Sequence, residues 1–258
     1  MITLDGLVGY APGQEWDTYT TRYNRLGTLM WDPWTDRMWR FCRSSAASII
    51  SGLSTATGVL AGQLQQAPGN TANHLNNSVQ AATAVGSLSL PVTLGSTSAL
   101  ANEYQGGYAS VREVSTAAQM LMIDEQQPQA AVNSGGVMTI LLRPGSAVQA
   151  ALTTSNHVDL IHNPYNCVIT NPTTATQMPV GVAQGAIASG SYGWIQTHGV
   201  ASVESDSNNS LVLGNPAVPS TAVAGCVMAS AASTSPAIGT VQMVAAASKQ
   251  AIVYLTID

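Results

Sequence analysis

Leu88-Ser89-Leu90-Pro91-Val92-Thr93-Leu94 carries an apolar side chain at every second position. A period of two sends alternate side chains to opposite faces of an extended chain, so this stretch reads as a half-buried strand. Pro91 has no N–H to give to a ladder, which predicts an edge position. Working outward, Val137-Met138-Thr139-Ile140-Leu141-Leu142 lies between Gly135-Gly136 and Pro144-Gly145, a strand bounded by turn residues. Tyr192-Gly193-Trp194-Ile195-Gln196-Thr197 and the β-branched run Ala251-Ile252-Val253-Tyr254-Leu255-Thr256-Ile257 read the same way. Shorter apolar runs at 180–183, 222–228 and 238–241 fit this scheme, and Gly, Pro, Asn and Ser punctuate the gaps. One helix is expected, from Leu75, Val79 and Ala82 spaced i, i+4, i+7 after Asn73 as N-cap.

Many short strands predict a mainly β fold with two small β-barrel or sandwich-like domains and an extended N-terminal arm. The expected boundaries are an arm over 1–26, a first β-rich domain over 27–155 and a second over 156–258. Residues 171–176 are an alternative linker.

The chain has 258 residues, a formal charge of −5 and only 8% charged residues, against roughly 25% in an ordinary soluble domain. Its basic groups are seven arginines and Lys249. That is too few for the concentrated basic surface a nucleic-acid partner requires. Apolar stretches are broken well before the ~18 residues of a membrane span, so no membrane partner is expected. The start shows no basic segment followed by an apolar core, so no signal peptide is expected. Cys42, Cys167 and Cys226 are widely spaced and odd in number, which predicts buried free thiols.

The first 43 residues stand apart. They hold Arg22, Arg25, Arg37, Arg40 and Arg43 together with Trp16, Trp31, Trp34 and Trp39. Trp and Arg are the residue types enriched as interface anchors. Trp16, Tyr19, Tyr23, Trp31 and Trp34 are therefore candidate interface residues, on a segment that could drape over an adjacent subunit. The alternative is that they pack on the body of their own chain.

Catalytic patterns are missing. The sequence contains no P-loop, no dinucleotide fingerprint and no nucleophile elbow; Ser189-Gly190-Ser191-Tyr192-Gly193 comes nearest to the last and begins with serine. His157, Asp159, His162 and Cys167 are the best metal candidates, but steps of five residues are wrong for paired zinc ligands. Asp124-Glu125 reads as a solvated turn, His198 as a turn histidine before Gly199, and His74 as an uninformative residue in a polar stretch. Asn76-Asn77-Ser78 and Asn208-Asn209-Ser210 match the glycosylation pattern, which means little without a signal peptide. No enzyme activity, cofactor or metal is expected.

Several stretches carry a family resemblance. They are Thr153-Thr154-Ser155-Asn156-His157-Val158-Asp159-Leu160-Ile161-His162-Asn163-Pro164-Tyr165, Pro179-Val180-Gly181-Val182-Ala183, Gly190-Ser191-Tyr192-Gly193-Trp194-Ile195-Gln196-Thr197-His198-Gly199 and Ile238-Gly239-Thr240. Upstream, Arg37-Met38-Trp39-Arg40-Phe41-Cys42-Arg43, Val92-Thr93-Leu94-Gly95 and Tyr104-Gln105-Gly106-Gly107-Tyr108 belong with them. Together they resemble tailed-bacteriophage head decoration (cement) proteins, over the chain from about Gly27 and most strongly in its last 110 residues. The resemblance implies a β-rich, often trimeric accessory protein on the capsid surface. Its expected partners are the major capsid protein and further copies of itself, and it would be made in the host bacterial cytoplasm. It transfers no site. The other readings are another virion component, such as a head-fibre module, or a β-rich module that binds surface glycan through Trp34, Trp39 or Trp194.

Overall fold

The computed structural model describes residues 6–51, 58–112, 118–206, 211–230, 235–244 and 249–258. The fold is mainly β: seventeen strands and two short 3-10 turns, Gln14–Trp16 and Ala72–His74, are found among the described residues. The expected helix is absent from its place. Asn76 adopts φ 57°, which breaks any helical path, and Asn77–Val79 is a strand instead.

Two compact units divide the chain, and each draws on separated segments. The first comprises Met1–Ser45, Ala56–Pro68 and Pro164–Asp258; the second comprises Ala46–Thr55 and Gly69–Asn163. The chain thus interleaves the units, where the sequence suggested successive domains cut near 26 and 155.

The second unit contains β5 (Asn77–Val79), β6 (Ser89–Thr93), β7 (Tyr108–Arg112), β8 (Gln119–Met122), β9 (Val137–Leu141) and β10 (His157–Ile161). They form one antiparallel sheet in the order β8-β7-β10-β5-β6-β9. The sheet curls so that its outer strands meet at one end. There Ile123 bridges Leu142, and Asp124 N–H and Arg143 N–H bond to Leu141 O and Met122 O. Alternate side chains, among them Leu90, Val92, Met138, Ile140, Val158 and Leu160, fill one apolar core. The alternation read at 88–94 is therefore present, but β6 is not an edge strand. Pro91 sits just past the last β5 partner, where its carbonyl accepts from Gln80 N–H and its missing N–H interrupts no further pairing.

The first unit contains β1 (Leu7–Gly9), β2 (Leu29–Asp32), β3 (Arg37–Arg43), β4 (Leu64–Gln66), β11 (Ile169–Thr170), β12 (Pro179–Ala183), β13 (Tyr192–Glu204), β14 (Pro216–Pro219), β15 (Val227–Ala229), β16 (Gly239–Met243) and β17 (Gln250–Thr256). Its main path runs β1-β2-β3-β13-β17-β16-β14-β15, with β12, β4 and β11 branching from β13. β13 is the hub. Its first half pairs with β3, and its second half, His198 to Glu204, pairs with β17. The strand expected at 192–197 thus continues through the predicted turn. Gly199 makes this possible: it has φ +81°, and a Cβ there would lie 2.5 Å from the Asp36 carbonyl oxygen.

Residues 7–26 are part of this unit. β1 pairs in parallel with β2, Tyr19 bridges Tyr192, and Tyr10 stacks on Trp39 at 5.0 Å. The segment read as an extended arm is, over its described residues, packed against its own chain.

Candidate interaction surface

The N-terminal aromatics fall into two sets, separated by the pleat of β2 and β3. Trp39 and Phe41 alternate with Met38 and Arg40, so the two rings share one sheet face with Met30 and Trp194. Trp39, Phe41 and Met30 are fully buried and Trp194 nearly so, while Tyr10, Tyr19, Leu26 and Tyr192 cover them from outside. Arginines complete the stack. The Arg37 guanidinium lies 4.9 Å from the Trp39 ring centre, and that of Arg43 lies 5.2 Å from Tyr192. Arg40, on the opposite face, pairs with Asp258 at 2.7 Å. Much of the aromatic and arginine content of the first 43 residues therefore serves the unit's own packing.

The second set faces solvent. Trp16 is 58% exposed, Tyr23 67%, Trp31 40% and Trp34 93%. Of the five predicted interface residues, Tyr19 is half-buried and stacks on Tyr23 at 5.3 Å. Trp31 and Trp34 share the β2–β3 hairpin, and Trp16 lies beside Gly185. Trp31 points away from the buried face because it neighbours Met30 in an extended strand.

The hairpin that carries Trp34 is held from several sides. Buried Asp32 accepts from Trp34 N–H at 3.1 Å and from the Thr35 hydroxyl at 2.5 Å. Arg37 Nε donates to Thr35 Oγ1. At the far side of the turn, Asp36 accepts from the Tyr254 hydroxyl at 2.6 Å and lies 3.4 Å from His198 Nε2. The Thr35 hydroxyl, aided by backbone N–H groups and Arg37, holds the Asp32 carboxyl below its usual range. The Tyr254 bond, with His198, does the same for Asp36 and raises the Tyr254 phenol in turn. A nearly fully exposed tryptophan is thus presented on a preorganised turn, which lowers the ordering cost of contact. His198 belongs to this clamp and not to a turn of its own.

The remaining candidates separate. Trp39 and Trp194 are too deeply buried to serve as glycan platforms. His157 and Asp159 lie on β10, where Asp159 pairs with Arg112 at 2.6 Å and accepts from Asn76 N–H. His162 is buried in the second unit, Cys167 in the first, and no group of three metal-ligating side chains forms among the described residues. All three cysteines are buried and free of disulfides; burial, with Glu204 and Asp206 nearby, pushes the Cys226 thiol up to about 11. Asp124 is buried and caps a turn at Gln126 N–H, where a solvated pair was expected. Asn208-Asn209-Ser210 lies outside the described residues. No helix is long and apolar enough to cross a membrane among the described residues.

A buried polar cluster in the second unit was not anticipated. Glu103 accepts from Ser51 Oγ at 2.6 Å, from Leu100 N–H at 2.7 Å and from His162 Nε2 at 3.3 Å. Tyr104 stacks on His162 at 4.6 Å, and its hydroxyl meets His74 Nδ1 at 2.5 Å. His74 Nε2 in turn meets Thr97 O. The only hint in the sequence is that Glu103 ends an uncharged run beginning at Ser44. Its partners are dispersed from Ser51 to His162. Here the serine hydroxyl bonds to the carboxylate and not to an imidazole, so this is a packing network and not a nucleophile–base pair.

No family model, curated protein or solved structure matches the chain.

Proposed function

We propose that this chain is a structural virion protein that decorates a phage capsid and bridges neighbouring capsomers, with Trp16, Tyr23, Trp31 and Trp34 as its contact residues. One observation supports this reading above the rest. Four large aromatic side chains are left to solvent within the first 34 residues, on a segment otherwise sewn into its own unit. Aromatic anchors on a rigid support are the usual carriers of interface energy. In this reading the protein is not an enzyme, needs no cofactor and acts as a trimer on the capsid exterior.

The test is occupancy on purified shells. Deleting residues 1–25 would remove Tyr10 and Tyr19 from the aromatic core, so single substitutions are the cleaner probe. Trp34→Ala and Trp16→Ala are expected to lower shell occupancy at least tenfold while leaving the fold intact. Unchanged occupancy in both overturns the reading. Light scattering should give a mass near three times 26.6 kDa.

The exposure of Trp34 also favours a second reading, a glycan-binding module with Trp34 as its platform. Binding on a glycan array that is lost in Trp34→Ala would select it.

A further inference from the structure

His198 stands on β13 beside the β2–β3 turn, and both nitrogens of its ring face oxygen. Nδ1 lies 3.2 Å from Asp258 O. Nε2 lies 3.2 Å from the Tyr254 hydroxyl and 3.4 Å from Asp36 Oδ2. The Tyr254 ring packs edge-to-face on the imidazole at 5.4 Å, which fixes this orientation. The His198 side chain is 20% exposed, so protons reach it in the folded state.

The number of available protons decides which form of the ring fits. The Tyr254 hydroxyl has one hydrogen, and its bond to Asp36 at 2.6 Å uses it. Asp258 O can only accept. A neutral imidazole has one N–H for these two sides, so a lone pair faces oxygen at either Nδ1 or Nε2. Turning the Tyr254 hydrogen toward Nε2 gives up the bond to Asp36. The imidazolium leaves no such gap: Nδ1–H donates to Asp258 O, and Nε2–H donates to the Tyr254 and Asp36 oxygens. Its bond to the Asp36 carboxylate is also charge-assisted.

We propose that His198 is a proton-operated latch on the hairpin that presents Trp34. Protonated, it ties the turn at Asp36 to β13, β17 and Asp258; neutral, it gives up one of these ties and the turn loosens. The charged and titratable groups around it come from three places. Asp36 belongs to the turn, Tyr254 to β17, and Asp258 follows β17 with its carboxylate paired to Arg40 of β3. Arg37 of β3 flanks the neighbouring Gly199 with its Cα and Cγ, while its guanidinium lies over Trp39. The Asp36 carboxyl is held below its usual range and the Tyr254 phenol above its own. Neither therefore changes charge between about pH 5 and pH 8, the window in which histidine side chains do. The latch regulates the contact site proposed above, and only its effect on shell binding rests on that reading.

The test is made on the ¹⁵N-labelled full-length protein alone. Order parameters of the Trp34, Thr35 and Asp36 amides are expected near the rigid value of about 0.85 at about pH 5.5, falling toward about 0.6 at about pH 8. His198→Gln keeps a donor and an acceptor in place but takes up no proton, and it should abolish the pH dependence. Asp36→Asn removes the carboxylate that the imidazolium grips and should abolish it too; asparagine tolerates the φ of 54° at that position. Equal order parameters at both pH values in the unmodified protein overturn the latch, as does a pH dependence that survives either substitution. Shell occupancy separates the two proposals: if the pH-dependent loosening is found while Trp34→Ala leaves occupancy unchanged, the latch stands and the capsid reading falls.

Discussion

Glu103 is a carboxylate without solvent contact, and its ionisation depends on three donors, the nearby Leu100 N–H and two side chains, Ser51 and His162, from distant parts of the chain. Burial alone would push this carboxyl up; the bonds from His162, Ser51 and the Leu100 N–H outweigh that effect and hold it below its ordinary value. A carboxyl depressed in the folded state stabilises the protein above its unfolded pKa, near 4.3, and loses that contribution as pH falls through the folded value. Glu103→Gln should therefore cost about 3 kcal/mol at neutral pH and flatten the loss of stability below about pH 4. Urea midpoints measured across that range check both effects. At the other extreme of environment, Trp34 touches little, and Trp34→Ala should change stability by less than about 0.5 kcal/mol. Phe41→Ala, which empties the middle of the aromatic stack, should cost about 3–5 kcal/mol by the same measurement. Thiol labelling of native protein should be negligible at Cys42, whose thiol burial pushes far up, and should appear only on unfolding.

Among the elements, the strands that show alternation or β-branched runs were legible. β6 and β9 lie inside the stretches read from 88–94 and 137–142, and β17 matches the stretch read from 251–257 to within one residue at each end. β4 was not legible, because Leu64-Gln65-Gln66 is buried throughout, glutamines included, and its polarity hides its position. The 75–82 stretch was misread because Leu75, Val79 and Ala82 satisfy a helical period by coincidence. Asn76 in a left-handed conformation, with its N–H on Asp159, selects the strand. β13 was cut short because His198-Gly199 looks like a turn in sequence. Only the approach of Asp36 to Gly199 shows why glycine is there. Gly199→Ala should therefore shift the β2–β3 hairpin and destabilise the unit by about 1–3 kcal/mol, measurable by thermal melting and by the indole resonance of Trp34. The candidate surface was half legible. Its residue types stood out, but which tryptophan faces in and which faces out depends on the pairing of β3 with β13, which sequence alone does not give.

Across the whole molecule, the second unit has all six of its described strands within residues 77–161. A fragment spanning 46–163 should therefore form β structure by circular dichroism. A fragment starting at 69 should be less stable, because it lacks Ile49, Ile50 and the Ser51 donor to Glu103. The first unit has no such contiguous fragment, since β4 pairs with β11 and β12, and β3 with β13, across the intervening residues of the second unit.

That last dependence sets an order of events on the ribosome. Phe41 emerges early, but Trp194, its packing partner, emerges only after the whole second unit has been made. Pairings so remote in sequence form slowly. Through that interval the nascent chain carries an uncovered strip of tryptophan, tyrosine and phenylalanine. A newly made chain is therefore most vulnerable to clumping before β13 is released, and a chaperone that shields aromatic segments should raise soluble yield more than one that acts on the finished protein.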